Sequence, residues 1–474
     1  MTTIADHPPH ATALIVGADR EVLTYARLHD AVGEVSRTLL GHGLRTGDVV
    51  AVLAENTVEF VVALLGAARA GLAVAPMDPA LPEAGIRSRL DMSGARVVLA
   101  GPVPAAESLA GQRVWKVRGL RVHADGPPRT AAPPVGLTPD DVLIMFTSGT
   151  TGTPKMVPWT RQALGASVAT IAHTYGLTSG DATVAVMPLF HGHGLVAALL
   201  TSLSGGAAVL LPAGGRFSAG TFWDDMAAAG ATWYTAVPTI HRIVLDRVDD
   251  RDVGALRFVR SCSAPLAPEL AARMESVYGV PVLAAYGMTE ATHHVTGCTP
   301  ADSAAVRRTT VGVPTGARAT IVDGEVWLSG PTVARGYLGD PARSDGAFTD
   351  GWLRTGDLGT LDDRGNLAIT GRIKNVINRG GEKISPEHVE QILAGYPGVA
   401  QAAVFGMPDT VYGERVAAAV VAAAGTRFSE ADLGSYTRTR LAKYEVPERL
   451  SIVERLPLTA KGDVDRTALR EAIS

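Results

Sequence analysis

Residues 147–155 read TSGTTGTPK and follow the apolar run DVLIMF at 141–146. Two glycines and six hydroxyl-bearing or basic side chains in nine residues suit neither a core nor a helix. They suit a loop around polyanionic phosphate. Glycine allows positive φ and close backbone approach, backbone N–H groups and hydroxyls supply donors, and Lys155 adds a point charge. No GK[ST] closes the loop, so it is not a Walker A sequence. An ordinary Gly/Ser/Thr-rich surface turn has the same composition, so the decision rests on whether the chain carries the other parts of a nucleotide site. Four further stretches share the polar, glycine-bearing texture: YGMTE at 286–290, RTGDLG at 354–359, GRIKNVINRGGEKISP at 371–386 and PLTAKGDVDR at 457–466. With the loop they fall at predicted strand ends, where ligands bind in α/β folds.

A second set of residues is rich in imidazole. PLFHGHGL carries His191 and His193, TEATHH carries His293 and His294, and RSCSAPL carries Arg260, Ser261 and Ser263. Buried, such groups need polar partners, since each one left unpaired costs about 1–3 kcal/mol. Neither the HxH nor the HH pair comes with a convincing third and fourth metal ligand.

The elements that must position these residues alternate in a βα rhythm. Thr24 reads as an N-cap, and Leu28, Val32, Val35 and Leu39 recur at helical spacing until Gly41 and Gly43. Strands at 49–54, 72–77 and 96–100 alternate with helices at 58–70 and 82–93. Short continuous apolar strands imply parallel sheets covered on both faces. The proline-rich stretch 101–140 reads as irregular connection. The rhythm resumes with strand 141–146, the loop, a helix near 159–174, strand 182–187 and helix 195–203. It then runs on through further strand–helix units to PVLAAY at 281–286. After about Val311 short strands and turns predict a β-rich piece, and from Lys374 a compact α+β unit follows. The expected class is α/β: a large N-terminal domain, 1–373, of two doubly wound subdomains plus a β-rich subdomain, with a small mobile α+β C-terminal domain, 374–474.

Composition excludes several functions. The 474 residues suggest about two to four domains. The hydrophobic share of 46% with 19% charged residues is globular. With 43 basic and 47 acidic side chains and a formal charge of −4, no nucleic-acid surface or polybasic membrane anchor is indicated. Two cysteines, Cys262 and Cys298, are not a disulfide framework and point to a reducing compartment. No secretory signal or membrane span is visible, so a cytoplasmic location is expected. Oligomeric state is not legible.

The five ordered stretches resemble the signatures of the adenylate-forming superfamily, which includes acyl-CoA synthetases, and the resemblance covers the whole chain. It implies that a carboxylate attacks the α-phosphate of ATP and that a thiol, usually coenzyme A, then displaces AMP. It further implies that Thr147, Ser148, Gly149, Thr150, Thr151 and Lys155 hold the β- and γ-phosphates. Ser263, Ala264, Ala285, Tyr286 and Gly287 would frame the adenine, with Tyr286 stacked on it. Thr289 would contact the α-phosphate, Glu290 with Thr151 would hold Mg²⁺, and Asp357 and Arg372 would bind the ribose. Lys374 falls at the family's domain hinge, and Gly380 and Gly381 would line the pantetheine route. The acid pocket most resembles that of oxalyl-CoA synthetases and is less like malonyl-CoA synthetases, which tend to have arginine at the position of Ala285. His191, His193, Ser261, His293 and His294 are the candidate substrate contacts, His193 and His293 foremost.

The pattern breaks near the C-terminus. Aligned on Pro457, Thr459, Gly462 and Arg466, the family's catalytic lysine position is Asp463, and the nearest basic group is Lys461, two residues earlier. In an extended segment both would face the same side. Met156 stands where relatives usually have glycine. Three readings stay open: Lys461 substitutes, adenylation runs without the lysine, or the chain is a nucleotide-binding relative that no longer catalyses. The first is the working expectation, with another acid, or nitrite with an amine acceptor as in diazotase-like relatives, as the enzymatic alternatives.

Overall fold

A computed structural model describes residues 6–147, 154–248, 253, 255–423, 425–458 and 464–473. The chain divides into two compact units: residues 1–266, 272–319 and 328–354 form the first, and 267–271, 320–327 and 355–474 the second.

The first unit is built on the expected βα rhythm. Its seven-stranded sheet runs in the order Arg121–His123, Val114–Arg118, Val97–Ala100, Val49–Leu53, Ala73–Met77, Asp141–Thr147, Lys155–Thr160. The inner pairings are parallel and the outermost pairing on each side is antiparallel. VVAVL at 49–53 and AVAPM at 73–77 are buried at every position, as strands covered on both faces must be. Helix Tyr25–Gly41 starts where Thr24 accepts from the Arg27 N–H, and packs its Val32 and Val35 side in the same core as helix Val58–Arg69. The rest of the unit holds a four-stranded sheet ordered Ala182–Val184, Ala208–Leu211, Thr12–Val16, Glu21–Thr24. It also holds a five-stranded sheet ordered Trp233–Ala236, Phe258–Ser261, Val282–Tyr286, Thr296–Gly297, Val313–Pro314.

Two expectations need correction. The stretch 101–140 is not wholly irregular, because Val114–Arg118 and Arg121–His123 form a hairpin at the sheet edge. Its signal is the alternation in VWKVR, where Trp115 and Val117 are buried and Lys116 and Arg118 exposed; the flanking prolines hid it. The segment after the loop is also not directly helical. Lys155–Thr160 is a strand antiparallel to Asp141–Thr147, and the helix begins only at Arg161, with Thr160 as its N-cap. Pro158 sits in this strand because it lies at the sheet edge, where its missing N–H costs no ladder bond.

The second unit centres on a five-stranded sheet in which Gly413–Ala422 is an inner strand and pairs along its length with Val399–Asp409 at the edge. Alternation separates its faces. Val404, Val416, Ala418 and Val420 pack with Val389, Leu393 and Leu433 of helices Pro386–Ala394 and Glu430–Arg438. Ala403, Phe405, Ala417 and Ala419 pack with Leu469 and Ile473 of helix Arg466–Ile473. Gly380 and Gly381 are the two turn residues between Ile377–Arg379 and Glu382–Ile384, both at positive φ, as a two-residue hairpin turn demands.

The edge hairpin is a structural element of the first unit. Replacing Trp115, which is fully buried, by alanine is expected to lower the unfolding free energy by about 3–5 kcal/mol. Urea titration of the purified variant checks this; a loss below about 1 kcal/mol would show the hairpin to be peripheral.

Candidate active site

The hairpin Asp141–Thr147/Lys155–Thr160 brackets the loop expected to hold phosphate. Thr147 and Lys155 are register partners, so the two ends of the loop are held side by side. Ser148, Gly149, Thr150 and Thr151 lie outside the described residues. Thr147 Oγ1 is buried and has no protein partner among the described residues. Met156, one residue beyond Lys155, is buried against Phe146 and Leu338 in the core under the hairpin.

Lys155 does not project alone. Its Nζ lies 3.1 Å from Glu290 Oε1 and donates to the Tyr337 hydroxyl at 2.7 Å, and that hydroxyl donates to the same Glu290 oxygen at 2.9 Å. Burial, then the Glu290 charge, drives the Tyr337 phenol above its usual range, so it stays a donor. The residues expected to take phosphate and Mg²⁺ therefore neutralise one another in this state. Glu290 is otherwise poised to bind a cation. It is a nearly buried carboxylate, 6% exposed, and Mg²⁺ commonly takes one or two carboxylates together with substrate phosphates.

Thr289 and Glu290 are positioned by a fully buried indole that sequence reading passed over. Trp159, on the returning strand of the hairpin, donates its Nε1–H to the Thr289 carbonyl at 2.7 Å. Beyond Glu290 the chain turns sharply, with Thr292 at φ +50 and His293 at φ +74. Such conformations cost a non-glycine residue about 1–3 kcal/mol each. Surrounding bonds hold them: Ser167 Oγ donates to the Thr292 carbonyl at 2.7 Å, and Thr292 Oγ1 donates to the Thr332 carbonyl at 2.6 Å. Gly287 is required here because a Cβ would lie 1.4 Å from the His293 carbonyl oxygen. Tyr286 is partly exposed at the end of its strand, while Ala285 before it is buried and Ala264 is exposed.

The strained turn brings the histidines together. His193 and His293 stack with ring centroids 5.2 Å apart and an interplanar angle of 25°. His193 lies at 3.0 Å from Ser263 Oγ through Nδ1 and at 2.6 Å from Thr235 Oγ1 through Nε2. Ser263 is itself at φ +72. His294 bonds Thr315 Oγ1 through Nε2 at 3.0 Å. At the centre is Arg260, fully buried, with Tyr175 OH and Thr235 Oγ1 each at 3.1 Å, His294 Nδ1 at 3.4 Å and His293 Nε2 at 3.5 Å. Among the described residues Arg260 forms no ion pair. Ser261 Oγ, next to it in sequence, is buried and has no partner among the described residues. His191 is exposed and its ring lies tilted against Phe190. The turn carrying His191 and His193 is anchored by Asn56, whose side chain bonds the Ala185 and Met187 carbonyls and the Leu189 N–H at 2.8–2.9 Å.

Electrostatics keep these imidazoles neutral. Burial and then the Arg260 charge push His193, His293 and His294 well below their usual range. Burial alone pushes the neighbouring His241 down to about 3. The cluster is thus one fixed positive charge wrapped in neutral donors and acceptors. Among the described residues no group of three or more His, Cys, Asp or Glu side chains could hold a metal ion.

The remaining expected residues belong to the second unit or lie outside the description. Asp357 is buried, with Oδ1 2.7 Å from Arg372 Nε; Arg372 is exposed. Thr355 Oγ1 bonds the Val326 carbonyl and the Asp357 N–H, which fixes the turn in TGD. Lys374 is exposed in the short turn Ile373–Asn375. Lys461 and Asp463 lie outside the described residues.

Residues 2–338 match the family described as AMP-binding enzyme, and residues 388–463 match the AMP-binding enzyme C-terminal domain. The chain belongs to the AMP-binding enzyme family. Within this family it is 42% identical over 473 residues to an oxalate–CoA ligase of Arabidopsis thaliana, across 94% of this chain and 92% of that one. Among solved structures it is similar to ATP-bound MatB from Rhodopseudomonas palustris, with TM-score 0.87 and 28% identity over 99% of this chain and 97% of that one. It is similar also to o-succinylbenzoate coenzyme A synthetase (MenE) from Bacillus subtilis in complex with ATP and magnesium ion, with TM-score 0.85 and 28% identity over 99% and 98% of the two chains. The family drawn from the five motifs, its α/β fold and its acyl-CoA synthetase branch are borne out.

The neutral imidazoles generate a pH prediction. Each has a folded-state pKa below its ordinary 6.5, so below that pH the unfolded chain binds protons that the folded chain does not, and stability falls as pH falls. For His241 the window runs from about 6.5 down to about 3. Within it, His241→Asn is expected to flatten the dependence of unfolding free energy on pH by about 1.4 kcal/mol per pH unit. Urea titrations across that range measure the difference, and parallel curves for the two proteins would contradict it.

Proposed function

We propose that this chain is an ATP-dependent, AMP-forming acid–thiol ligase that adenylates a small dicarboxylic acid, oxalate or a close relative, and transfers it to coenzyme A. The observation that carries the substrate class is Arg260. A fully buried guanidinium remains charged, and its burial is costly without an anion. The described protein gives it hydroxyls and imidazoles instead of a carboxylate. An anionic substrate group is the natural counterion, and the oxalate–CoA ligase relative supports its identity.

In the first half-reaction a carboxylate oxygen of the acid bonds to the α-phosphorus as the bond to pyrophosphate breaks. In the second, the coenzyme A sulfur bonds to the acyl carbon and AMP leaves. The first step needs charge neutralisation and alignment. Lys155 and the loop residues Thr147, Ser148, Gly149, Thr150 and Thr151 hold the outer phosphates, and Thr289 the α-phosphate. Glu290, released from Lys155, would hold Mg²⁺ together with Thr151, and the ion would supply neutralisation of phosphate charge. Ser263, Ala264, Ala285, Tyr286 and Gly287 frame the adenine, with the Ser263 hydroxyl toward the acid, and Asp357 and Arg372 bind the ribose. His193, His293, His294 and Ser261 surround the distal carboxylate, with His191 at the rim. Lys374 is the hinge between domains 1–373 and 374–474, and Lys461 replaces the family lysine where Asp463 stands. Two free, buried cysteines are in keeping with a reducing, cytoplasmic compartment. Among the described residues no helix is long and apolar enough to cross a membrane.

Acid-dependent pyrophosphate exchange across a panel of small acids and nitrite, with and without coenzyme A, tests this reading. Oxalate-dependent exchange with coenzyme A-dependent AMP release is expected; no AMP from any acid ends it. Arg260→Gln is expected to raise the KM for oxalate about 100-fold, the cost of about 2–5 kcal/mol for losing a buried charge partner, with the KM for MgATP little changed. Lys461→Ala is expected to slow adenylation at least about 100-fold, as removal of a transition-state charge contact does, while ATP binding persists. An unchanged rate would assign the step to another group.

A further inference from the structure

We propose that Thr235 is the positioning residue of the acid pocket, setting one tautomer of His193 so that the Ser263 hydroxyl is turned outward as a hydrogen-bond donor to the substrate carboxylate. The inference rests on the acid-pocket reading above and adds to it the direction of every hydrogen bond in a relay from Arg260 to the pocket surface.

The directions follow from donor capacity. Arg260 Nη1 lies 3.1 Å from Thr235 Oγ1, and a guanidinium only donates, so the threonine oxygen accepts there. Thr235 is 1% exposed, and its only other partner among the described residues is His193 Nε2, at 2.6 Å. The threonine hydrogen must therefore go to Nε2, because the opposite arrangement would strand a buried donor. An imidazole that accepts at Nε2 and is neutral carries its hydrogen on Nδ1. Burial and the positive charge of Arg260 disfavour the protonated form, in agreement with a neutral ring. Nδ1 lies 3.0 Å from Ser263 Oγ, so His193 donates to the serine, and the serine's own hydrogen is free for a ligand.

Ser263 is the exposed end of this chain of bonds, and its backbone is held at φ +72, a conformation that a serine seldom adopts without external constraint. The relay hands a buried positive charge outward as aligned dipoles, each polarising the next. The guanidinium thereby acts on a carboxylate through a group with the small size and fixed direction of a hydroxyl. The stacked His293 ring, 5.2 Å from His193, limits rotation of the imidazole out of the relay.

The test combines a spectroscopic readout with kinetics on the full chain. Long-range proton–nitrogen correlation on histidine-labelled, unliganded protein, assigned with a His193→Gln sample, is expected to show Nδ1 protonated and Nε2 bare. Thr235→Val is expected to redistribute that tautomer and raise the KM for oxalate about tenfold, the worth of one charge-linked hydrogen bond, with the KM for MgATP within about twofold. Thr235→Ser should restore both tautomer and KM. Ser263→Ala should raise the KM while leaving the tautomer in place. A protonated Nε2 in the wild-type protein overturns the proposal, as does a Thr235→Val enzyme with unchanged tautomer and KM. If Thr235→Val fails to fold, the wild-type tautomer and the Ser263→Ala kinetics still decide. Should no acid be adenylated, the ligase reading fails by itself, and the tautomer measured without ligand still answers for the relay.

Discussion

A buried positive charge that has no carboxylate partner among the described residues is the constraint around which the histidine cluster is arranged. Arg260 reaches its place because FVRS at 258–261 is an inner strand, buried at every position. Placing a guanidinium there forces neighbouring elements to supply hydroxyls and imidazoles: Tyr175 from one helix, Thr235 from the adjacent strand, and His293 and His294 from the turn after Glu290. Burial, and after it the same charge, holds the imidazoles neutral. One arginine thus organises the polar groups around it and adds to the burial that fixes their protonation.

The phosphate side follows a related logic at lower cost. Lys155 and Glu290 neutralise one another, with Tyr337 bonded to both, so neither charge is left without a partner before substrate arrives. The Trp159–Thr289 bond holds the strand that carries Lys155 against the turn that carries Glu290. The two sides meet at a small interval: Thr289 and Glu290 on the phosphate side are followed within four residues by His293 and His294 on the acid side. The strained φ values of Thr292 and His293 are the geometric means of turning the chain between them.

Much of this was legible in the sequence because it is written in local chemistry. Glycine-bearing polar runs after apolar strands declared the nucleotide loop. The alternation of short apolar runs with helical periodicity declared parallel sheets, and the histidines of FHGHGL and ATHH declared a polar pocket. The misread elements failed for local reasons too. Pro158 disguises an edge strand, and the prolines around VWKVR disguise another hairpin.

The sequence by itself determined the reaction family, the order of its motifs and the presence of an anion-seeking histidine set, since residue type and spacing are sufficient for those. Only the tertiary structure decided that Arg260, read as a nearby donor, is the centre of that set, and that Trp159, Thr235 and Tyr337 serve the site at all. The physical reason is distance along the chain. Thr235 and His193 are 42 residues apart, and Lys155 and Tyr337 are 182 apart, yet each pair shares a hydrogen bond. No periodicity or motif records such a pair, because its members are brought together by how sheets and turns pack and not by what stands next to them.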